Sequence, residues 1–557
     1  MVPTCIFCYM SLTLIRIRQI KVPLEFEVFE VSALSALVSK ILRQPVPAEW
    51  GLKLVHRSVD ARAAHKPPEF VLAVELSVPE KLLPIAIKAG AEVREPVPPT
   101  VFPKINLPAS KPRPVVVGAG PSGLMAALVL AEAGLNPILI ERGAPVEERK
   151  LQVRSFWQQG ELDEESNTLY GEGGAGLYSD GKLTSRSKDS RRLRRFLQAL
   201  VEAGAPDDIL IDAEPHLGSD QLSIIVPRIR ARLLQLGAEV RFFHRLEKIE
   251  SKGGQLSAIW VNSERIECEQ LVLGTGHSAR DVFKLLTDTP ALLEPKPFAI
   301  GVRLELPQSV INRAQYKSHA NHPKLGTASF RLTRKEEPGS RACYSFCMCP
   351  GGLVIACAST KGKLTSNGMS LSKRDLDFGN AAFLAPVRPE DIPKTNDGEP
   401  AILDGYKFQE AIERKAFELG GGDYGLPASR LRDFVSGKAS RKLPEERSCG
   451  RAVPANLHHI LPESIAITLV KTLPKMVPQL RGSSIDQALL YGAETRSSSP
   501  IRITRGESGQ SIGLLGLFPT GEGAGYAGGI VSAGIDGIKA AEAMIAVYQA
   551  QGLTSDT

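Results

Sequence analysis

The stretch Pro114–Gly143, PVVVGAGPSGLMAALVLAEAGLNPILIERG, decides how this chain is read. It opens on three valines and turns through Gly118, Gly120 and Gly123. It then runs on through an Ala- and Leu-rich segment and returns as a second apolar run that ends at Glu141. Strand, glycine turn, helix and strand are the parts of a parallel βαβ unit. The first glycine permits the turn, the second lets backbone approach a pyrophosphate, and the third lets the helix pack on the strand. The helix start, with Pro121 and Ser122 in its first turn, offers unpaired N–H groups to phosphate oxygens. Glu141 is placed to accept hydrogen bonds from ribose hydroxyls. The stretch therefore predicts a dinucleotide-binding unit.

The same glycine spacing occurs twice more, in different surroundings. In SNTLYGEGGAGLYSDGKL, Gly171, Gly173 and Gly176 lack a flanking strand–helix pair. This reads either as a plain surface loop or as a loop, with Gly173 and Gly174 at its centre, lying against something flat or phosphorylated. In IGLLGLFPTGEGAGYAGGIVSAGIDGIKAAEAM a strand precedes Gly523, Gly525 and Gly528 and a helix follows, but no second strand and no acidic partner come after. That segment cannot bind a nucleotide independently. It can aim a loop and helix start (Gly521, Glu522, Gly528, Gly529, Ile530) at a cofactor held by the first unit. Between them, IECEQLVLGTGHSARD is a strand ending in Gly274–Thr275–Gly276. Dinucleotide unit, late strand with a TG turn, and C-terminal strand–GE–helix together point to FAD rather than NAD.

Length and composition bound the rest. At 557 residues the chain exceeds one ordinary core. Its 43% hydrophobic and 23% charged residues are ordinary for a globular protein, and a net charge of +7 on this length does not indicate a nucleic-acid binder. The densest basic run, SRSKDSRRLRRF (185–196), reads as a solvated helix face or as a docking surface for an acidic partner. The eight cysteines are scattered and form no disulfide framework. Cys5 and Cys8 form a CxxC with no second pair, so no metal is expected. Arg16 and Arg18 interrupt the apolar start, which excludes a convincing signal peptide, and the apolar segment 115–140 is broken by glycines, Pro121 and Glu132, so no membrane span is expected. These features fit a cytoplasmic protein, or a plastid stromal one if the source is a plant.

The expected class is α/β: a Rossmann-like FAD-binding domain with an inserted α+β substrate domain and a small N-terminal α+β domain. The expected boundaries are 1–95 for the N-terminal domain and 96–114 for a Pro-rich linker. The FAD-binding domain takes 115–290 and 490–557, with the substrate or cap domain, 291–489, between.

Beyond these spacings, the chain resembles the uncharacterised FAD-dependent dehydrogenases of bacteria and plastids, within the glutathione-reductase-type flavoproteins. The resemblance rests on the stretch above together with YGEGGAGLYSDGKL, GTGHSARD, KPFAIGVRLELPQSVINRAQY, YSFCMCPGG, NGMS, ERKAFELGGGDY, ETRSSSP and PTGEGAGYAGGIVSAGIDGI. It implies FAD held mainly by 115–285 and 490–557. It implies Gly118, Gly120, Gly123 and Ser122 at the pyrophosphate, Glu141 at the ribose and Arg142 along the adenine, with Gly276 in the TG turn. It sets Gly521–Glu522 toward the ribityl or pyrophosphate region, although relatives usually carry an aspartate there. The helix after Gly528 would direct its positive end at the flavin.

A flavin carries its own redox chemistry, so the protein must supply orientation and electrostatics. No second complete nucleotide unit exists, so an NAD(P)H or ferredoxin-like donor would dock transiently. His216 and His277 follow strand-like stretches and are either proton carriers or structural histidines. Arg496 either anchors an anionic substrate or pairs with Glu494. Cys347 and Cys349, in CYSFCMCPGG, stand at i and i+2 and share a face of a regular strand. They read as pocket-lining thiols, with a redox pair as the alternative, and two-electron uptake per flavin is the expectation. The favoured function is an FAD oxidoreductase of a small molecule. The alternative is a flavoprotein acting on a macromolecule, as in RNA modification or assembly.

Overall fold

The computed structural model describes residues 12–62, 66–98, 100–185 and 187–554. Cys5 and Cys8 lie outside the described residues. The chain divides into two compact units.

The first unit comprises the described residues up to Val101 together with Pro206–Pro215 and Gln315–Gly326. Its four-stranded antiparallel sheet runs Lys53–Asp60, Glu69–Pro79, Leu12–Pro23, Ala91–Val93. Alternation along Leu12–Pro23 buries Ile15 and Ile17 on one face, where they meet Leu34 and Val38 of the helix Val31–Leu42. The segment Pro206–Pro215 returns to this sheet: Asp212 accepts two hydrogen bonds from Arg57, at 2.7 and 2.8 Å.

The second unit holds two large sheets. One is parallel and five-stranded, in the order Leu517–Pro519, Leu271–Leu273, Val115–Val117, Ile138–Ile140, Glu239–Arg241. Its central strands are buried on both faces, which is why they read as unbroken apolar runs. The strand Leu517–Pro519 pairs with Leu271–Leu273, which pairs with Val115–Val117, so the C-terminal strand extends the sheet of the first glycine unit. The helix that follows it, Ile530–Ala550, packs on the first helix, Pro121–Glu132. At Gly537 a Cβ would lie 2.0 Å from the Ser122 carbonyl oxygen, so these helices touch through backbone.

The other sheet has seven strands, ordered Thr333–Arg334, Cys343–Cys349, Phe378–Pro386, Ala299–Pro307, Leu489–Glu494, Leu426–Arg430, Ala452–Pro454. The helix Glu463–Met476 packs on it. The second half of the Pro-rich stretch is not a free spacer. Phe102 and Ile105 are buried, and the backbone of 105–106 bonds to Ala133 and Leu553.

Candidate functional site

A cavity of about 1500 Å³ opens at the carboxyl ends of the parallel strands, where open α/β sheets place their ligands. All three glycine loops line it, together with the Gly274–Thr275–Gly276 turn. The loop 171–176, ambiguous in sequence, is thus a wall of the site. It is held from behind by Arg149, which is fully buried and donates to the carbonyls of Asn167, Glu172 and Gly174 at 2.7–2.9 Å.

Several features of this floor fit an extended dinucleotide. Gly118 has φ of +101°, and a Cβ there would lie 2.4 Å from the Gly274 carbonyl oxygen. Gly120 is different: a Cβ would meet only the Gly174 Cα, at 3.8 Å, and would otherwise project into open space. Ser122 Oγ is buried and has no hydrogen-bond partner, a donor waiting for a phosphate oxygen or its equivalent. The helices starting at Pro121 and Ile530 both lack a side-chain N-cap, and both starts line the cavity. Two uncapped helix ends give it a positive local field. The donor set therefore fits the pyrophosphate and flavin ends of FAD.

Glu141 does more than the sequence suggested. Its carboxylate accepts from the backbone N–H groups of Ala119 at 2.8 Å, Gly143 at 2.9 Å and Gly171 at 3.0 Å. It ties the first glycine loop to the second and keeps about one of its roughly four acceptor positions for a ligand. Arg142 also lines the cavity but is engaged: it pairs with Glu165 at 2.6 Å and Asp281 at 3.0 Å, and its guanidinium lies 4.4 Å from the Tyr170 ring centre.

The other sequence candidates take different places. His216 does not line the cavity, and its Nε2 contacts the Ser372 carbonyl at 2.9 Å. His277 does line it, with Nε2 donating to the Arg496 carbonyl at 2.7 Å. Arg496 pairs with Glu413 rather than Glu494: the two form bidentate bonds of 2.9 and 2.8 Å, and Nη1 donates to Ser359 at 2.7 Å. Glu413 is fully buried and also receives two bonds from Arg280. Burial alone would push its carboxyl up, but the two guanidiniums hold it well below the usual carboxylate range. Arg496 lines the cavity with its guanidinium already engaged by Glu413 and Ser359. Glu494 instead pairs with Arg303, at 3.0 and 2.7 Å, both side chains being buried. Three arginines of the basic run pair internally, while Lys188 and Arg194 stand exposed. Arg191 and Arg192 pair with Glu542, and Arg195 with Glu132, clamping the helix Ser190–Glu202 to its neighbours.

The strand Cys343–Cys349 is not regular. Phe346 faces Ala382 and Cys349 faces Asn380, so three residue steps oppose two. The extra residue makes a β-bulge, and Cys347 takes φ of +45°. The bulge makes the two cysteines unequal, which a regular strand would not. Cys347 lines the cavity, whereas Cys349 is wholly buried behind it.

Lys296 and Glu522 bring ionisable groups that the sequence did not assign as a pair. Both line the cavity. Burial lowers the Lys296 ammonium, partly offset by Glu522, and burial raises the Glu522 carboxyl against the pull of His277 and Lys296. KPFAIG in the sequence was the only hint of Lys296. Among the described residues, no group of three or more His, Cys, Asp or Glu side chains is placed to hold a metal ion, and no helix is long and apolar enough to cross a membrane.

A glycine-walled cavity on a parallel sheet, two uncapped helix starts and a carboxylate at the end of the second strand define a dinucleotide-binding protein of the flavoprotein kind. Residues 113–153 match the family described as FAD binding domain, and 297–497 the one described as FAD-dependent protein, C-terminal domain-like. An uncharacterized protein of Clostridium beijerinckii is 46% identical over 443 residues, 78% of this chain and 81% of that one. The chain belongs to that family of FAD-dependent proteins, and its cofactor is FAD. Solved structures similar to it include a glycine oxidase from Bacillus cereus, at 11% identity, 80% of this chain, 99% of that chain and a TM-score of 0.34. A glycerol-3-phosphate dehydrogenase from Bacillus halodurans complexed with FAD matches at 11% identity, 81% of this chain, 67% of that chain and a TM-score of 0.31.

Proposed function

We propose that the protein is an FAD-dependent oxidoreductase acting on a small molecule, a dehydrogenase or reductase of the bacterial and plastid type. The observation that carries this reading is the continuity of the cavity. It runs from the glycine loops to the strand Cys343–Cys349 of the seven-stranded sheet, leaving a second wall for a substrate beyond the cofactor. When bound, FAD supplies two-electron redox chemistry. In this reading Ser122 and the helix start at Pro121 hold the pyrophosphate, and Glu141 takes a ribose hydroxyl. Gly173, Gly174 and Gly276 let backbone lie close to the cofactor. The helix start at Ile530, after Gly528 and Gly529, stabilises negative charge developing on the reduced ring. Lys296 and Glu522 both line the cavity, which suits them to pass a proton to or from the substrate. A nicotinamide or ferredoxin-like donor would dock transiently.

The purified protein is expected to be yellow and to release FAD, not FMN, on heat denaturation. Small metabolites would then be added anaerobically, with flavin absorbance recording any that oxidise or reduce it. A colourless protein that also fails to take up added FAD refutes the reading.

A further inference from the structure

The bulge in the strand Cys343–Cys349 separates two sulfurs that a regular strand would have treated alike. Cys347 is half-buried and opens to the cavity. Cys349 is fully buried, and its thiol donates to the Cys347 backbone carbonyl oxygen at 3.4 Å, which keeps the two residues side by side. An accessible sulfur backed by a buried one is the arrangement in which one thiol attacks and the other resolves. The surroundings favour charge on the outer sulfur. The Arg303 guanidinium, 3.9 Å from Cys349 Sγ and 3.2 Å from the Cys347 carbonyl oxygen, adds positive charge beside the pair. The hydrogen bond from Cys349 lowers the Cys347 thiol below its ordinary value despite burial, while Cys349 is raised well above its own. Cys268, Cys343, Cys357 and Cys449 are buried thiols whose proton affinity burial raises, so the outer sulfur of the bulge stands apart from them. A non-glycine residue held at φ of +45° beside a cavity also marks a place where backbone strain is kept for position.

We propose that Cys347 and Cys349 form a dithiol–disulfide couple that exchanges two electrons with the flavin and meets, through Cys347, a small disulfide or thiol in the cavity. This rests on the reading of the cavity as the FAD site. In the reductive direction the Cys347 thiolate attacks one sulfur of a substrate disulfide, whose S–S bond breaks and whose first thiolate leaves and takes up a proton. Cys349 then gives up its proton and attacks Cys347 Sγ. A Cys347–Cys349 bond forms and the second substrate thiolate leaves. Two electrons from reduced FAD break that bond, and each sulfur takes up a proton. Run backward, two S–H bonds become one S–S bond, and two electrons and two protons pass to oxidised FAD.

The test uses the wild-type holoprotein, with FAD identified and quantified first by release, so that a missing cofactor is recognised separately from an inert pair. After treatment with diamide, peptide mapping with an alkylating reagent should show Cys347 and Cys349 joined to each other. Anaerobic dithionite titration of that sample should consume four electrons per FAD. Hydroxyethyl disulfide added to Cys349→Ser should leave one mixed disulfide, on Cys347. A pair that stays alkylatable after diamide overturns the proposal. So does uptake of only two electrons by a sample whose pair is confirmed oxidised. Absence of FAD defeats the flavin reading and with it the exchange, and the release assay assigns the failure to that cause.

Discussion

Removing the Glu141 carboxylate should loosen the site even before cofactor is added. The side chain accepts three backbone hydrogen bonds, from Ala119, Gly143 and Gly171, at 2.8–3.0 Å, and it is buried. Hydrogen bonds to a charged group contribute about 1.5–3 kcal/mol each. In Glu141→Ala, water can enter from the cavity and satisfy some of the freed N–H groups, so the low end applies, about 4–5 kcal/mol for the three. The second unit has roughly 430 residues, for which about 1 kcal/mol shifts Tm by about 1 °C. The apoprotein should therefore melt about 4–5 °C lower. FAD affinity should fall further, roughly 10- to 150-fold, from the lost ribose contact. Differential scanning of the apoprotein, with fluorescence titration of FAD, separates the two effects. Glu141→Asp keeps the charge but is one methylene too short to reach both glycine loops, and should fall between. An apoprotein melting within 1 °C of wild type, with FAD affinity within threefold, would refute both the tie and the ribose contact.

The remaining expectations follow from the same geometry. Glu413→Gln strands Arg280 and Arg496 in the interior and should cost about 3–5 kcal/mol in chemical denaturation; Glu413→Gln/Arg496→Gln should cost clearly less than the two single changes together. Burial raises the Glu172 carboxyl from 4.5 to about 7, so the folded state binds its proton more tightly than the unfolded chain does. Its contribution is favourable below about pH 4.5 and is lost as pH rises through about 7, a change of about 3 kcal/mol. Glu172→Gln should accordingly stabilise the protein at pH 8 and leave it little changed at pH 5, as read by paired melts. Gly120→Val should fold yet fail to retain FAD because its side chain enters the cavity, whereas Gly118→Ala should impair folding itself, since its Cβ meets the Gly274 carbonyl. Circular dichroism beside flavin content distinguishes these two failures.

Much of the parallel sheet could be read from local signals. Val115–Val117 and Ile138–Ile140 announce themselves as apolar runs on either side of glycines, and Glu141 falls where the second run ends. What could not be read depends on partners far away in the chain. Arg496 finds Glu413, 83 residues earlier, and Glu494 is left to Arg303, 191 residues earlier; nothing in ETRSSSP selects one acid over the other. Arg192 and Arg195 look solvent-facing until Glu542 and Glu132 are brought to them, while Arg194 remains on the solvated face that the run suggests. The Cys347 bulge was invisible because it comes from a register mismatch with the strand Phe378–Pro386, not from any turn residue within CYSFCMC. Lys296 and Glu522 lie 226 residues apart in sequence, and only the fold brings both to the cavity.

The backbone contact between Gly537 and Ser122 has a consequence for biosynthesis. The helix Pro121–Glu132 leaves the ribosome with its apolar surface uncovered, and the helix that covers it begins about 400 residues later. At about 5–20 residues per second the wait is roughly 20–80 s. During that interval the strand Val115–Val117 and its glycine turn exist, but the second helix start that would complete the cavity does not. Cofactor loading is thereby deferred until that helix has been made, and a chain truncated before Ile530 should be captured by chaperones as an unsealed apolar surface rather than accumulate as a partial flavoprotein.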